Sequence, residues 1–206
     1  MLLANQITSK LYLELNEDKL LLQFYEKGEE IPLFEQGFWQ VYRGVVQLSR
    51  INLKGEEITV GWAIKNTAFG TLLKHTGVDR AQALSDVYVR WLSPQDIEKY
   101  PHFGRILLDQ LSRRLIIAEH LLTITGLKRV EDRLWELLLL LKQEIGQTAV
   151  NGTRLTVRFT HQNLADMICT TRVTVTRMLG DFQTRGLIVV DHDRHLIIQD
   201  VLKDSN

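Results

Sequence analysis

The tandem stretch THQNLADMICTTRVTVTRMLGDF, Thr160–Phe182, constrains this chain more than any other part of it. Its second half sets Val173 and Val175 among threonines, which on local propensity favours a strand, because β-branched side chains lose rotamer freedom in a helix. The longer window overrules that preference. Val175, Met178, Leu179 and Phe182 recur at i, i+3, i+4 and i+7, the spacing of one buried helical stripe, and Thr171 precedes them as an N-cap. The opposite face carries Arg172, Val173, Thr176 and Arg177, with no carboxylate near its N-terminal end. An arginine fork can donate to both acceptors of a guanine edge and a valine can meet a thymine methyl, so this face suits a DNA major groove.

In the first half, Leu164, Ala165 and Ile168 are the small and aliphatic residues through which one helix packs across the next. Thr160 and Thr171 add hydroxyls to the same candidate surface. Two β-branched runs, LIVV and HLIIQ, follow and are joined by DHDR, which completes a helix-turn-helix with a β wing. The bland alternative is two amphipathic helices with solvated arginines; helix pair, wing and uncharged cap occurring together argue against it.

Upstream of that module the pattern changes. Between about residues 31 and 91 the runs FWQVYRGVVQLSRIN, EEITVGWAI and RAQALSDVYVRWL are strand-like, with turn signals at Arg43-Gly44, Lys54-Gly55, Gly70 and Gly77. They predict an antiparallel β-roll, jelly-roll-like, or a barrel. SPQD then starts a helix, with Ser93 as cap, Pro94 in the first position and Asp96 as a partial capping box. From about residue 103 to residue 127 the pattern is helical, and Leu108, Leu111, Leu115, Ala118 and Leu122 fall at heptad a and d positions. That spacing predicts a parallel dimer seam; the rival reading is an ordinary amphipathic core helix, whose stripe Ile116 and Ile117 would widen. Gly126 ends the run, and VEDRLWELLLLLKQEIG and RLTVRF then read as a buried helix and a strand leading into the helix pair.

The expected class is therefore α+β in three parts: residues 1–100 a β-roll, residues 101–127 a dimerisation helix, and residues 128–206 a winged helix-turn-helix domain. At 206 residues the chain can bury two modest cores. Its 25 basic and 25 acidic residues cancel, so any attraction to nucleic acid must be local. Between Arg154 and Arg185 there are five arginines against two aspartates. One cysteine, Cys169, excludes an internal disulfide and multi-cysteine zinc or iron–sulfur sites, and fits a reducing cytoplasm. The N-terminus lacks the pattern of a secretion signal, and no stretch has membrane-spanning length free of charges, so no membrane role is expected. Without a glycine-rich phosphate loop, G-x-S-x-G or a supported His–Cys pair, no enzyme is expected either. DHDRH, with His192 and His195 beside Asp191 and Asp193, invites a metal reading, but one hairpin supplies no closing ligand and a solvated turn accounts for it.

From Thr160 to Gly186 the chain resembles the C-terminal domain of the CRP/FNR family of bacterial transcription regulators, and TRVTVTR followed by LGDF resembles especially its cyanobacterial nitrogen-control members. The resemblance extends over the whole order of parts. It implies a homodimer that binds double-stranded DNA at palindromes with GTA and TAC half-sites, contacts bases through Arg172, Val173 and Arg177, and acts with RNA polymerase. It also implies an effector site. In the family's sensor domain a turn binds the effector through backbone amides and a following arginine takes its acidic group; Phe69, Gly70, Thr71 and Leu72, then Arg80 and Gln82, stand in the matching places. Arg114 and Glu119 reproduce the R-x-x-x-x-E arrangement that completes the pocket in nitrogen-control members. The implied effector is 2-oxoglutarate, a small acid whose two carboxylates two arginines could clamp. No cofactor is required.

The departures are specific. A cyclic-nucleotide site of the family has a glutamate in the turn and a serine or threonine after the arginine, where this chain has Thr71 and Ala81, which argues against cyclic AMP. The loop from turn to arginine is shorter than in nitrogen-control members, and Gln82 stands where an aromatic is expected. Arg114 and Glu119 also suit a plain g-to-e′ salt bridge between dimer helices. Cys169 occupies a turn position that is usually glycine, at a cost of about 1 kcal/mol if the backbone is left-handed there; as a side chain it reads as a small buried filler rather than a redox group. The alternative function is a constitutive DNA-binding regulator whose β-roll is a protein-interaction module.

Overall fold

The computed structural model describes residues 22–71 and 78–200; Leu72 and the turn expected at Gly77 lie outside them. The chain divides into two compact units, one of residues up to Leu48 with Trp62–Arg114, the other of Ser49–Gly61 with the residues from Leu115 onward.

The N-terminal strands are β1 (Leu22–Tyr25), β2 (Gly37–Arg43), β3 (Val45–Ile51), β4 (Glu57–Ile64), β5 (Ala68–Thr71), β6 (Arg80–Ala83) and β7 (Val87–Leu92). They form a four-stranded sheet in the order β1-β7-β2-β5 and a three-stranded sheet in the order β4-β3-β6. The long β2 run is central because its pleat buries Trp39 and Val41, which join Phe69, Val46, Leu48 and Val89 in one apolar cluster. Trp39 satisfies its indole N–H on the Pro32 carbonyl at 2.7 Å and meets Trp91 edge-on at 5.1 Å between ring centroids. Gly44 makes the β2–β3 turn with φ +93°, where a Cβ would collide with the Asp86 carbonyl oxygen. Strand β1 was not expected, since LQFY carries no turn punctuation that separates it from the preceding run.

Two helices follow. α1 (Pro94–Lys99) has a complete capping box, because the Ser93 hydroxyl accepts from the Asp96 N–H and the Asp96 carboxylate accepts from the Ser93 N–H. α2 (Pro101–Gly126) carries two apolar stripes. Phe103, Leu107, Ile117 and Ile124 are buried, while Leu108, Leu115 and Leu122 stay 65%, 60% and 74% exposed. Leu111 is half-buried against Phe38, Ala68 and Leu107. At the start of α2, the buried Gln40 amide donates to Gln110 at 3.0 Å and its carbonyl accepts two bonds from Arg90 at 3.1 and 2.7 Å. The Arg90 guanidinium lies over the rings of Tyr42 and Phe103.

The second unit contains α3 (Val130–Ile145), β8 (Gly146–Ala149), β9 (Gly152–Leu155), α4 (His161–Met167), α5 (Arg172–Thr184), β10 (Ile188–Val190) and β11 (Leu196–Gln199). Its antiparallel sheet runs β10-β11-β9-β8 and packs on α3, whose Leu134, Leu137, Leu138 and Leu141 are fully buried. Trp135 of α3 meets Phe182 of α5 edge-on at 5.4 Å. The strand expected over RLTVRF is corrected: β9 is Gly152–Leu155, and it pairs with an unanticipated β8. The ladder stops at Thr156, whose N–H and hydroxyl both bond the Ile145 carbonyl at 3.1 and 2.9 Å and so leave the sheet. Among the described residues no helix is long and apolar enough to cross a membrane.

Candidate nucleic-acid interface

α4 begins at Thr160, whose hydroxyl accepts from the Asn163 N–H at 3.0 Å while the Asn163 side chain accepts from the Thr160 N–H at 3.0 Å. Leu164, Ala165, Met167 and Ile168 are buried, which fixes α4 to the rest of its unit. The turn to α5 is closed by Thr170 N–H on the Ala165 carbonyl at 3.0 Å, and Cys169 within it takes φ +53°. The left-handed geometry inferred for this position is therefore present, but the cysteine is exposed rather than a buried filler. In a left-handed turn residue the side chain swings off the helix axis, so proximity in sequence to buried Ile168 gives no burial here.

α5 is capped by Thr171, whose hydroxyl accepts from the Thr174 N–H at 3.2 Å. Val175, Leu179 and Phe182 face inward as the stripe requires. Arg172, Val173, Thr176 and Arg177 are exposed, Val173 at 78%. Thr176 is also held within the protein: its hydroxyl donates to the Arg172 carbonyl at 2.9 Å and lies 2.7 Å from His161 Nδ1. His161 therefore ties the start of α4 to the exposed face of α5, a role that no sequence pattern indicated.

Around this helix the surface is concave. One cleft of about 810 Å³ is lined by Arg158, Thr160, His161, Gln162, Arg172 and Arg194 over a floor that includes Phe159 and Leu164. Arg177 lies instead on a second hollow of about 410 Å³, with Glu131, Asp181 and Arg185. The candidate base readers thus stand on one helix face but border different hollows. Glu131 bonds Arg185 at 2.7 Å and Arg129 at 2.8 Å, and the bond from Arg185 is the main cause holding its carboxyl below the usual carboxylate range.

The wing loop is built by a turn in which Arg194 N–H donates to the Asp191 carbonyl at 2.9 Å, with Arg194 at φ +62°. Arg154 bonds Asp191 at 2.6 Å and reaches Asp193 at 3.4 Å, and it lowers the Asp191 carboxyl more than any other group does. His195 donates its Nδ1–H to the Leu155 carbonyl at 2.7 Å. DHDRH is thus an organised turn whose two aspartates are paired by Arg154. Arg133 is a further residue that the sequence left unmarked: it donates to the Leu127 carbonyl at 2.7 Å and to the Ile168 carbonyl at 3.3 Å, linking the segment after α2 to the helix-turn-helix turn.

In the first unit, Phe69 is fully buried and Gly70, with φ +126°, packs so tightly against the Gly37 carbonyl that no side chain would fit. Arg80 pairs with Glu30 at 3.1 Å and the Gln82 amide donates to the Gly28 carbonyl at 3.1 Å. Ala81 and Ala83 face the core, so Arg80 and Gln82 stand on the other face of β6. Arg114, at the end of the first unit, is half-buried, and burial pulls its guanidinium below the usual arginine range; Glu119, in the second unit, is exposed.

The Crp-like helix-turn-helix domain matches residues 132–203. The global nitrogen regulator of Synechococcus elongatus is 32% identical over 213 residues, 90% of this chain and 96% of that protein. The global nitrogen regulator of Synechocystis is 34% identical over 157 residues, 72% of this chain and 70% of that one. In structure, a CRP-family transcriptional regulator from Thermus thermophilus superposes with a TM-score of 0.71 at 19% identity, covering 87% of this chain and 92% of its own, which shows the shared fold. These relatives are regulators, not enzymes, and with them this chain belongs to the CRP/FNR family of DNA-binding transcription regulators.

Proposed function

We propose that the protein is a homodimer that reads palindromic DNA with GTA and TAC half-sites, acting in the cytoplasm with RNA polymerase. Each α5 enters a major groove, with Arg172 and Arg177 donating to guanine edges and Val173 meeting a thymine methyl. The observation that carries this reading is the capped first turn of α5, which holds Arg172 and Val173 exposed on a helix whose other face is locked into the core. The exposed Leu108, Leu115 and Leu122 stripe supports the dimer, since three leucines spaced by seven residues are left uncovered on one helix face. Residues 1–100 act as sensor, 101–127 as dimer helix and 128–206 as reader. The effector is an acidic metabolite such as 2-oxoglutarate, taken by the backbone of Phe69–Leu72, whose first three residues end β5 rather than form the expected turn, with Arg80, Gln82, Arg114 and Glu119. Footprinting on a GTA–TAC palindrome should protect both half-sites together; protection of one alone would contradict the dimeric reading.

One observation favours a second reading, in which the regulator binds DNA constitutively and its β-roll contacts protein. Arg80, which would take the effector's carboxylate, already holds Glu30 and shares the outer face of β6 with Gln82. Calorimetric titration with 2-oxoglutarate separates the two. Saturable heat that Arg80→Gln and Arg114→Gln abolish supports the sensor, and no heat supports the constitutive regulator.

A further inference from the structure

We propose that Thr176 reads DNA through its methyl group rather than its hydroxyl, against a thymine methyl, and that His161 is the positioning residue that turns the hydroxyl away. The inference deepens the DNA-binding proposal above and rests on it. Thr176 is exposed on α5, where a threonine can offer a groove either of two branches, a hydroxyl or a methyl. The hydroxyl is committed inside the protein. Its single proton goes to the Arg172 carbonyl at 2.9 Å, so His161 Nδ1, 2.7 Å away, is the donor in the second bond and fills one lone pair of the oxygen. The oxygen then has nothing left to donate. Guanine N7 and O6, adenine N7 and thymine O4 are all acceptors, so this hydroxyl cannot serve them. The methyl is the branch left to meet a base.

A bond from a helical threonine back to the carbonyl one turn earlier is ordinary, and alone it leaves the side chain free to change rotamer. His161 adds an anchor from outside the helix. It is the first residue of α4, and its bond to Thr176 crosses the helix pair. The neighbouring threonines also turn their hydroxyls inward: Thr160 caps α4, Thr171 caps α5, and the Thr171 and Thr174 hydroxyls lie 2.9 Å apart. Around Thr176 the exposed face of α5 therefore keeps the guanidiniums of Arg172 and Arg177 as donors, with Val173 and the Thr176 methyl as apolar groups. Thr176 follows Val173 by three residues, so the two are neighbours on the helix surface. A GTA half-site suits such a pair. With its complement it presents two thymine methyls in the major groove, one on each strand at adjacent base pairs.

The test replaces each thymine of one half-site in turn by deoxyuridine, which removes only the methyl, and measures binding of the full-length protein at fixed salt. Wild type should weaken about fourfold with each replacement, the worth of one buried methyl-sized group. Thr176→Ser, which keeps the hydroxyl and deletes the methyl, should become indifferent to one replacement and still respond to the other. Thr176→Val, which keeps a methyl and loses the hydroxyl, should respond to both as wild type does. His161→Ala should blunt the response at the same thymine as Thr176→Ser and at no other. A role in folding alone would weaken every duplex by one factor and leave these ratios unchanged. Wild-type ratios in Thr176→Ser, or a lost response in Thr176→Val, would overturn the methyl contact, and wild-type ratios in His161→Ala would overturn the positioning role. Wild-type protein that prefers the GTA–TAC duplex yet ignores both replacements would overturn this inference alone. No preference over a scrambled duplex would overturn the DNA reading with it.

Discussion

Arg172 is where a single side chain carries the most consequence. Its guanidinium is exposed at the first position of α5 while the Thr171 cap and the buried Val175 fix the backbone beneath it. Arg172→Ala should therefore leave folding intact and remove about 1–3 kcal/mol of discrimination at one base pair of each half-site, measured by competition between single-substituted duplexes. The Arg154–Asp191 pair acts on stability instead. Asp191 titrates below its ordinary range because Arg154 bonds it, so the pair stabilises the wing above the unfolded carboxylate range and that contribution is lost as pH falls through and below it. Thermal melts from neutral pH to below about pH 4 should show a smaller acid loss in Arg154→Met than in wild type. The cap, the inward stripe and the exposed face of α5 were legible because all are local periodicities. His161 and Arg133 were not, because each bonds a partner that the fold brings from further along the chain, as when Arg133 reaches Ile168.

Among the elements, α2 shows how far periodicity goes. Its sequence holds two interleaved apolar stripes, and spacing alone cannot say which one the chain covers itself. Phe103, Leu107, Ile117 and Ile124 are covered, and Leu111 belongs partly with them, whereas Leu108, Leu115 and Leu122 are left open. Burying one leucine side chain contributes about 1.5–3 kcal/mol, and a seam meets its own copy, so each leucine counts twice. Leu115→Asp should thus weaken dimerisation at least about a hundredfold in sedimentation equilibrium, without lowering the helical content of the monomer. An unchanged dimer would place the interface elsewhere. Strands β1 and β8 escaped the sequence reading for the opposite reason: LQFY lacks punctuation and GQTA lacks apolar alternation, so only pairing with β7 and β9 makes them strands.

For the molecule as a whole, family and order of parts were readable because the winged helix pair, the long helix and the strand-rich first part each carry their own signal. The expected effector rests on resemblance alone, because no local periodicity marks Arg80, whose guanidinium pairs with Glu30. Fluorescence anisotropy measures whether this chain recognises DNA sequence. A labelled duplex with GTA and TAC half-sites should bind at least about a thousandfold more tightly than a scrambled duplex at the same salt concentration. Equal affinity for the two duplexes, falling together as salt rises, would reduce the protein to a non-specific DNA binder and contradict the account.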